Sequence, residues 1–333
     1  GAAPINARST RQVSALAEAK GRIEAQLRRR IVGQDDAVDL LLLSVFAGGH
    51  GLFVGVPGLA KTMLVQTLAQ TLSLRFTRIQ FTPDLMPSDI TGTDVLDEQS
   101  PRGGRSFRFI PGPVFTNILL ADEVNRTPPK TQSALLESMA EGSVTAGGTN
   151  YRLEQPYLVF ATQNPIEQQG TYPLPEAQMD RFLLQIDMGY PSADEEEEIV
   201  LRTTAAPGPD PEPVLDRASI LSLQGLIPRI PVAPHVIKHA VALTRASRPD
   251  SETAPEAAKN YLRFGAGPRA SQALVRGAKA RAALQGRFSA EIDDVRALAL
   301  PALRHRLVPS FRADSEGVSP ADVVEELLRA VKP

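Results

Sequence analysis

The fold is decided by one stretch of sequence, Leu52-Phe53-Val54-Gly55-Val56-Pro57-Gly58-Leu59-Ala60-Lys61-Thr62. Its first residues form a short apolar run that predicts a strand, and the glycines and proline that follow predict a turn. An apolar pattern at helical spacing from Leu64 to Leu72 predicts a helix after the turn. A strand, a glycine-containing turn and a helix that begins with Lys-Thr are the parts of a phosphate-binding loop. We therefore predict nucleotide binding here; the alternative is an ordinary glycine-rich turn between a strand and a helix.

The loop departs from the usual pattern at Ala60, where a second glycine is common. Ala60 falls at the start of the predicted helix, where φ is negative, so an alanine is sterically acceptable. The loop amides and the amino end of the helix would face phosphate, Lys61 would reach the outer phosphates, and Thr62 would offer its hydroxyl to Mg²⁺. The predicted nucleotide-binding residues of the loop are Gly55, Val56, Pro57, Gly58, Leu59, Ala60, Lys61, Thr62 and Met63.

Two acids, Asp122 and Glu123, follow a second strongly apolar run. Such a pair is common at strand ends in general, but its position about 60 residues after the loop favours a nucleoside triphosphatase. In such enzymes the first acid holds Mg²⁺ and the second orients or deprotonates the attacking water. We therefore expect Asp122 to join Thr62 at the metal and Glu123 to act as the base.

The apolar runs predict an α/β fold in which helices cover both faces of a five-stranded parallel sheet. The predicted strands lie near residues 52–55, 75–81, 117–122, 157–162 and 182–186. Ligands of such sheets bind at the carboxyl ends of the strands. Asn164 follows the fourth strand and could hydrogen-bond the γ-phosphate or the attacking water; an Asx-turn before Pro165 is the alternative.

The chain divides into a nucleotide-binding domain at residues 1–190, a proline-rich linker at 191–213 and a small helical domain at 214–333. We expect no strands in the helical domain, which could close over the nucleotide. Residues 92–115 are predicted to be an inserted β-hairpin or a mobile loop, with a passive surface excursion as the alternative. Residues 142–153 are predicted to be a β-hairpin. The first helix is predicted near residues 10–30, with an apolar stripe formed by Val13, Leu16, Ile23 and Leu27.

Three further residues are candidates for contact with a nucleotide. Ile31 and Val32 follow the first helix and could line an adenine pocket, although apolar residues at a helix junction often only pack. Arg269 lies in the first turn of a predicted helix, where the helix dipole disfavours a cation. An anionic partner would explain that position, and an ordinary surface arginine is the alternative.

Composition excludes several classes of protein. A chain of 333 residues that is 42% hydrophobic can bury a sizeable core, and two domains are expected. A net charge of −2 and an aromatic content of 5% disfavour nucleic acid as a partner. Because cysteine is absent, disulfides and thiolate metal sites are excluded. No apolar run is long enough to span a bilayer and no signal-peptide core is present, so we expect a cytoplasmic protein.

Taken together, these motifs resemble those of the MoxR family of AAA+ ATPases. The resemblance extends from Ile31 to the C-terminal helices, and the family's two β-hairpin insertions correspond to residues 92–115 and 142–153. The similar segments are residues 55–62 (Walker A, including the alanine), 122–126 (Walker B with the following Asn-Arg), 161–165 (sensor 1), 180–182 (arginine finger) and 267–270 (sensor 2).

The resemblance implies a ring, commonly a hexamer, that hydrolyses ATP with Mg²⁺ and remodels or matures client proteins. Partners with a von Willebrand factor A domain often accompany such ATPases. The implied catalytic residues are Lys61, Glu123, Asn164, Arg181 and Arg269. Arg181 would serve the nucleotide of the next subunit, Arg269 would act in cis or in trans, and Arg126 is a weaker candidate for the interface.

Three alternatives remain open from the sequence. The magnesium chelatase ATPase subunit has the same insertions and is a narrower alternative. A nucleotide-gated binding scaffold with little hydrolysis is a second, in which Ala60 marks weakened turnover. A DNA-dependent motor is a third, and the acidic balance and scarce aromatic residues argue against it.

Overall fold

A computed structural model describes residues 4–55, 60–98, 106–163 and 170–333. The strands of these ranges are β1 His50–Gly55, β2 Phe76–Gln80, β3 Gly92–Asp97, β4 Ser106–Pro111, β5 Ile118–Asp122, β6 Ser143–Ala146, β7 Thr149–Arg152, β8 Leu158–Gln163, β9 Phe182–Met188, β10 Leu262–Phe264 and β11 Val308–Pro309. The α-helices are α1 Ala7–Leu27, α2 Asp35–Ala47, α3 Lys61–Thr71, α4 Pro87–Thr91, α5 Pro129–Glu141, α6 Glu176–Met179, α7 Ala193–Thr204, α8 Arg217–Leu226, α9 Pro234–Ala246, α10 Glu256–Tyr261, α11 Pro268–Leu284, α12 Ile292–Leu303, α13 Phe311–Glu316 and α14 Pro320–Ala330.

Five strands form the central sheet in the order β2-β5-β8-β1-β9, and all neighbouring pairs are parallel. The central strands are mostly apolar because both faces are covered by helices. Residues 118–121 of β5, for example, are completely buried. The predicted five-stranded parallel sheet is therefore confirmed, and each predicted strand overlaps an observed one.

Helix α1 lies against the core through the stripe that the sequence predicted. Val13, Leu16, Ile23 and Leu27 are all buried, with exposed fractions of at most 1%. The helix begins three residues earlier than expected, at Ala7, because the Asn6 side chain accepts a hydrogen bond from the Ser9 amide and caps the first turn.

The two excursions of the first domain contain antiparallel hairpins, β3–β4 and β6–β7. The hairpins touch each other through aromatic rings: Phe109 of β4 stacks on Tyr151 of β7 with ring centroids 4.0 Å apart. Phe115 meets both rings edge to face. The hairpins therefore form one projecting unit, whose exposed apolar side chains include Leu96 and Phe107.

The C-terminal region is helical, but the expectation that it contains no strands is wrong. Strands β10 and β11 pair antiparallel across three and two residues. Segments this short show no two-residue periodicity, so the sequence pattern could not reveal them. The short helices α10 and α13 were also missed, because six residues are too few to show a helical apolar period.

The helical region is fastened to the start of β9 by the turn at residues 304–306. The Arg306 guanidinium donates to the Asp180 carboxylate at 2.7 Å and to the backbone oxygens of Phe182 and Leu183 at 2.9 and 3.1 Å. His305 contacts the Phe182 oxygen through Nε2 at 2.8 Å. The two parts of the molecule are thus joined on both sides of Arg181.

Two buried histidines make stability depend on pH. Burial lowers the pKa of His50 to about 4 and that of His305 to about 3. The Val159 amide donates to His50 Nδ1 at 2.9 Å, so this ring is folded in its neutral form. Since an unfolded histidine has a pKa near 6.5, the unfolded chain binds more protons below that pH. The stabilisation by the two neutral histidines is complete above pH 6.5. It is lost as the pH falls towards their pKa values in the folded protein.

We expect the free energy of unfolding to fall by about 2 kcal/mol per histidine between pH 7 and pH 5. Urea titrations at the two pH values measure this change. In His50→Asn the amide oxygen can still accept from the Val159 N–H but cannot titrate, so the pH dependence should be shallower. Equal pH dependence in the variant and the parent would contradict this assignment.

Candidate functional site

The phosphate-binding loop leads from β1 to α3 at the carboxyl edge of the sheet. Ala60 precedes α3 with a φ of −72°, which confirms that an alanine is sterically acceptable there. Lys61 is the first residue of the helix, and its ammonium donates to the Gly55 oxygen at 3.3 Å. The loop residues Val56, Pro57, Gly58 and Leu59 lie outside the described residues.

Gly55 is required because neighbouring strands approach closely at the end of β1. A Cβ at this position would lie 2.5 Å from the Met188 oxygen of β9. This backbone oxygen cannot move aside as a flexible side chain could, so any larger residue would displace the strand that leads into the loop. The glycine therefore fixes where the loop begins.

Lys61 lies close to both predicted acids. Burial lowers the pKa of its ammonium, and the Asp122 and Glu123 carboxylates act in the opposite direction. A partly desolvated ammonium beside two carboxylates, at the amino end of a helix, is an arrangement suited to a bound polyanion with a cation. The structure thus brings Lys61, Asp122 and Glu123 together at one edge.

Thr162 of β8 links the two acids, a role that sequence reasoning missed. Its hydroxyl donates to Asp122 Oδ1 at 2.6 Å and accepts from the Glu123 amide at 2.8 Å. The side chain is 1% exposed, so both hydrogen bonds are shielded from water. The sequence signal for this role was a polar residue inside an apolar strand that lies next to the strand ending in Asp122.

Each acid also pairs with an arginine. Arg78 of β2 donates to Asp122 Oδ2 at 2.6 Å, and Arg126 Nη1 lies 3.3 Å from Glu123 Oε2. The backbone of Glu123 has a φ of 57°, a left-handed conformation that is unusual for a residue other than glycine. Strain of this kind occurs where a side chain must point in a fixed direction. Arg126 contacts Glu123 of its own chain, and its predicted place at a subunit interface stays a prediction.

The donor set fits a magnesium ion that is shared with a nucleotide. Magnesium prefers oxygen ligands and usually combines one or two carboxylates with substrate phosphates. Thr62 and Asp122 supply a hydroxyl and a carboxylate at the same edge. In the ranges that the structure describes, no group of three or more acidic or histidine side chains could hold a metal alone.

Three other residues predicted to contact the nucleotide at this edge are Asn164, Ile31 and Val32. Asn164 lies outside the described residues. Ile31 is 5% exposed and belongs to the main core, whereas Val32 is half-buried. Their contact with adenine stays a prediction. Gln34 donates to the Gly189 oxygen at 3.0 Å, directly after β9, so this segment lies near the end of β1.

Arg181 and Arg269 lie at the other edge of the sheet. Both line a cavity of about 400 Å³ at the amino ends of β1 and β9, which we call the arginine pocket. Its other charged lining residues among the described ones are Asp180, Arg276 and Arg306. Arg181 donates to Gln178 Oε1 and to the Leu136 oxygen.

The two edges are separated by the length of β1. His50 lines the arginine pocket and begins this strand, and Gly55 ends it at the phosphate-binding loop. Six residues of parallel strand span about 17 Å, at about 3.3 Å per residue. Neither Arg181 nor Arg269 can bridge this distance to Lys61 of the same chain.

Comparison with known proteins agrees with this geometry. Residues 50–184 match the model of the "ATPase family associated with various cellular activities (AAA)", and residues 254–327 match the AAA lid domain. The chain is 42% identical over 306 residues to Chaperone MoxR1 of Mycobacterium tuberculosis, covering 92% of this chain and 80% of that protein. The chain belongs to the MoxR family of AAA+ ATPases.

Two more relatives extend the comparison. Protein MoxR of Methylorubrum extorquens is 33% identical over 335 residues, with 94% of each chain covered. A solved structure from Cytophaga hutchinsonii, described as a candidate ATPase, superposes with a TM-score of 0.89 at 40% identity and covers 97% of both chains. Within the described residues of this MoxR-family chain, no helix is long and apolar enough to cross a membrane.

Replacing Thr162 with valine tests the link between the two acids. The change keeps the shape of the side chain but leaves the buried Glu123 N–H without an acceptor and Asp122 Oδ1 without a donor. We expect the free energy of unfolding to fall by about 1–3 kcal/mol in urea titrations. Thr162→Ser, which retains the hydroxyl, is the matched control. A valine variant as stable as the parent would show that the hydroxyl links nothing.

Proposed function

We propose that the protein is a ring-forming ATPase in which each ATP lies between two subunits. The observation that carries this proposal is the separation of the two halves of the site. Lys61, Asp122 and Glu123 lie at one edge of the sheet, and Arg181 and Arg269 lie at the other edge, about 17 Å away. In a head-to-tail ring, the arginines of one subunit would face the phosphates bound by the next.

The phosphate-binding half belongs to the subunit that holds the nucleotide. Lys61, residues 55–63 and the amino end of α3 bind and orient the phosphates. Thr62 and Asp122 would hold Mg²⁺, which neutralises charge on the transferred phosphoryl group when bound. Glu123 accepts a proton from the attacking water, Asn164 contacts the γ-phosphate, and Val32 lies against the adenine.

The arginine half acts in trans. Arg181 stabilises the charge that develops on the neighbour's γ-phosphate, and Arg269 contacts the same phosphates. The cis alternative for Arg269 is disfavoured because this residue shares a pocket with Arg181. Arg269 also follows Pro268 at the start of α11, where an anion from outside the chain would satisfy the helix dipole.

The partners follow from the family. We propose a hexameric ring that uses ATP hydrolysis to remodel client proteins, including partners with a von Willebrand factor A domain. The name Chaperone MoxR1, given to a relative that matches 92% of this chain, supports client remodelling. The projecting hairpin unit with its exposed Leu96 and Phe107 offers apolar contact surface for a client.

A nucleotide-gated scaffold with little hydrolysis is the second candidate. The ion pairs Arg126–Glu123 and Arg78–Asp122 favour it, because an acid held by an arginine is not free to act on water or metal. Steady-state phosphate release separates the candidates, since a scaffold would bind ATP but release almost no phosphate.

Mixing two inactive variants tests the shared site. Glu123→Gln should bind ATP but not hydrolyse it. Arg181→Ala should lose at least about 10³-fold in turnover, the lower end for an arginine supplied in trans. A ring that contains both variants has interfaces where an intact Glu123 meets an intact Arg181, so we expect phosphate release to return on mixing.

The control replaces the Glu123→Gln partner with Glu123→Gln/Arg181→Ala, which supplies no arginine and should rescue nothing. Co-purification of differently tagged subunits shows that mixed rings form. If the subunits co-assemble and activity stays absent, Arg181 does not act in trans and the shared site is wrong.

A further inference from the structure

The arginine pocket holds more positive charge than the two predicted arginines supply. Four arginines and one carboxylate line it, so the charge of the described lining residues is strongly positive. The carboxylate is that of Asp180, and it is neutralised by an ion pair with Arg306, whose side chain is 4% exposed. Its remaining donors reach backbone oxygens, so it serves to hold the start of β9 in place.

Arg276 has no such partner. Along the described parts of the chain, its guanidinium makes no ion pair and no hydrogen bond. Nη2 lies 3.3 Å from the position that a Cβ at Gly48 would occupy, directly before β1. Its positive charge acts on His50, whose pKa it helps to lower. Arg276 therefore sits at the amino edge of the sheet, on the same side as Arg181.

Arg276 is an exposed cation that protein surrounds in part. Surrounding protein lowers the pKa of its guanidinium through desolvation, although the pocket leaves the residue open to solvent on one side. The carboxyl end of α2 at Gly48 offers partial negative charge, which accounts for part of the placement. Its N–H donors reach no acceptor among the described residues and face the solvent of the pocket, where a ligand could take them.

Arg269 and Arg276 lie on one face of α11. They are seven residues apart, which is about two helical turns or about 10.5 Å along the axis. Gln272 and Ala273 lie between them on the same face and also line the pocket. The helix thus presents to one cavity, beside Arg181, two arginines that pair with no acid or acceptor in the described ranges.

We propose that Arg276 is a third arginine that binds the phosphates of the ATP held by the neighbouring subunit. This inference rests on the proposed function, because it needs a neighbour's nucleotide in the arginine pocket. Three guanidinium groups with free donors match the many oxygens and the charge of a triphosphate. Arg181 contacts the γ-phosphate, and Arg269 and Arg276 flank the rest of the chain of phosphates.

The test uses Arg276→Ala in the assembled protein. We expect kcat to fall about 10- to 100-fold, less than for Arg181, because the contact supports the phosphates without completing the arginine finger. The kcat of Arg276→Lys should lie between those of Arg276→Ala and the parent, because lysine keeps the charge but not the planar guanidinium. Arg245→Ala, at an exposed arginine of α9 outside the pocket, is the matched control and should keep full activity.

Mixing assigns the effect to the neighbouring site. Arg276→Ala subunits mixed with Glu123→Gln subunits should regain phosphate release, and a Glu123→Gln/Arg276→Ala partner should not restore it. Urea titration and sedimentation velocity of each variant accompany the assay. A normal kcat in assembled Arg276→Ala rings would overturn the proposal, whatever the effect of the change on stability or assembly. The arginine would then serve the fold or pair with a carboxylate of the neighbouring subunit.

The two levels of inference fail separately. If Arg181→Ala is not rescued by Glu123→Gln, the shared site itself is wrong. If Arg181→Ala is rescued and Arg276→Ala behaves like the parent, only the role of Arg276 is wrong.

Discussion

Strand β1 keeps the two halves of the site apart. A parallel strand of six residues is rigid within a sheet and about 17 Å long, and it carries the phosphate-binding loop at one end and the arginine pocket at the other. No side-chain rearrangement can bring Arg181 to Lys61 across that length. In the proposed ring a neighbouring subunit completes the site, and hydrolysis would then depend on assembly.

The helical region contributes to the arginine half in two ways. Helix α11 supplies Arg269 and Arg276, and the turn at residues 304–306 fixes the backbone on both sides of Arg181 through Arg306 and His305. The region that carries Arg269 and Arg276 is thereby connected to the backbone beside Arg181. Such a connection would let the state of one subunit alter hydrolysis in the next.

Much of the fold followed from local patterns, because strands and helices that pack on a core carry regular apolar spacing. The sheet strands and α1 were accessible in this way. The pairing of β10 with β11 was not, since two- and three-residue strands have no period. The contacts of Thr162 and the place of Arg276 in the arginine pocket were also hidden, because each depends on which distant residues the fold brings beside it.

The central claim is that a single subunit holds only half of an active site. Phosphate release per subunit, measured at saturating Mg²⁺ and ATP over a range of protein concentrations, tests it most directly when sedimentation velocity reports the assembled fraction at each point. We predict that specific activity is near zero for monomers and rises in proportion to the assembled fraction. Full specific activity at concentrations where the chains are monomeric would contradict the claim.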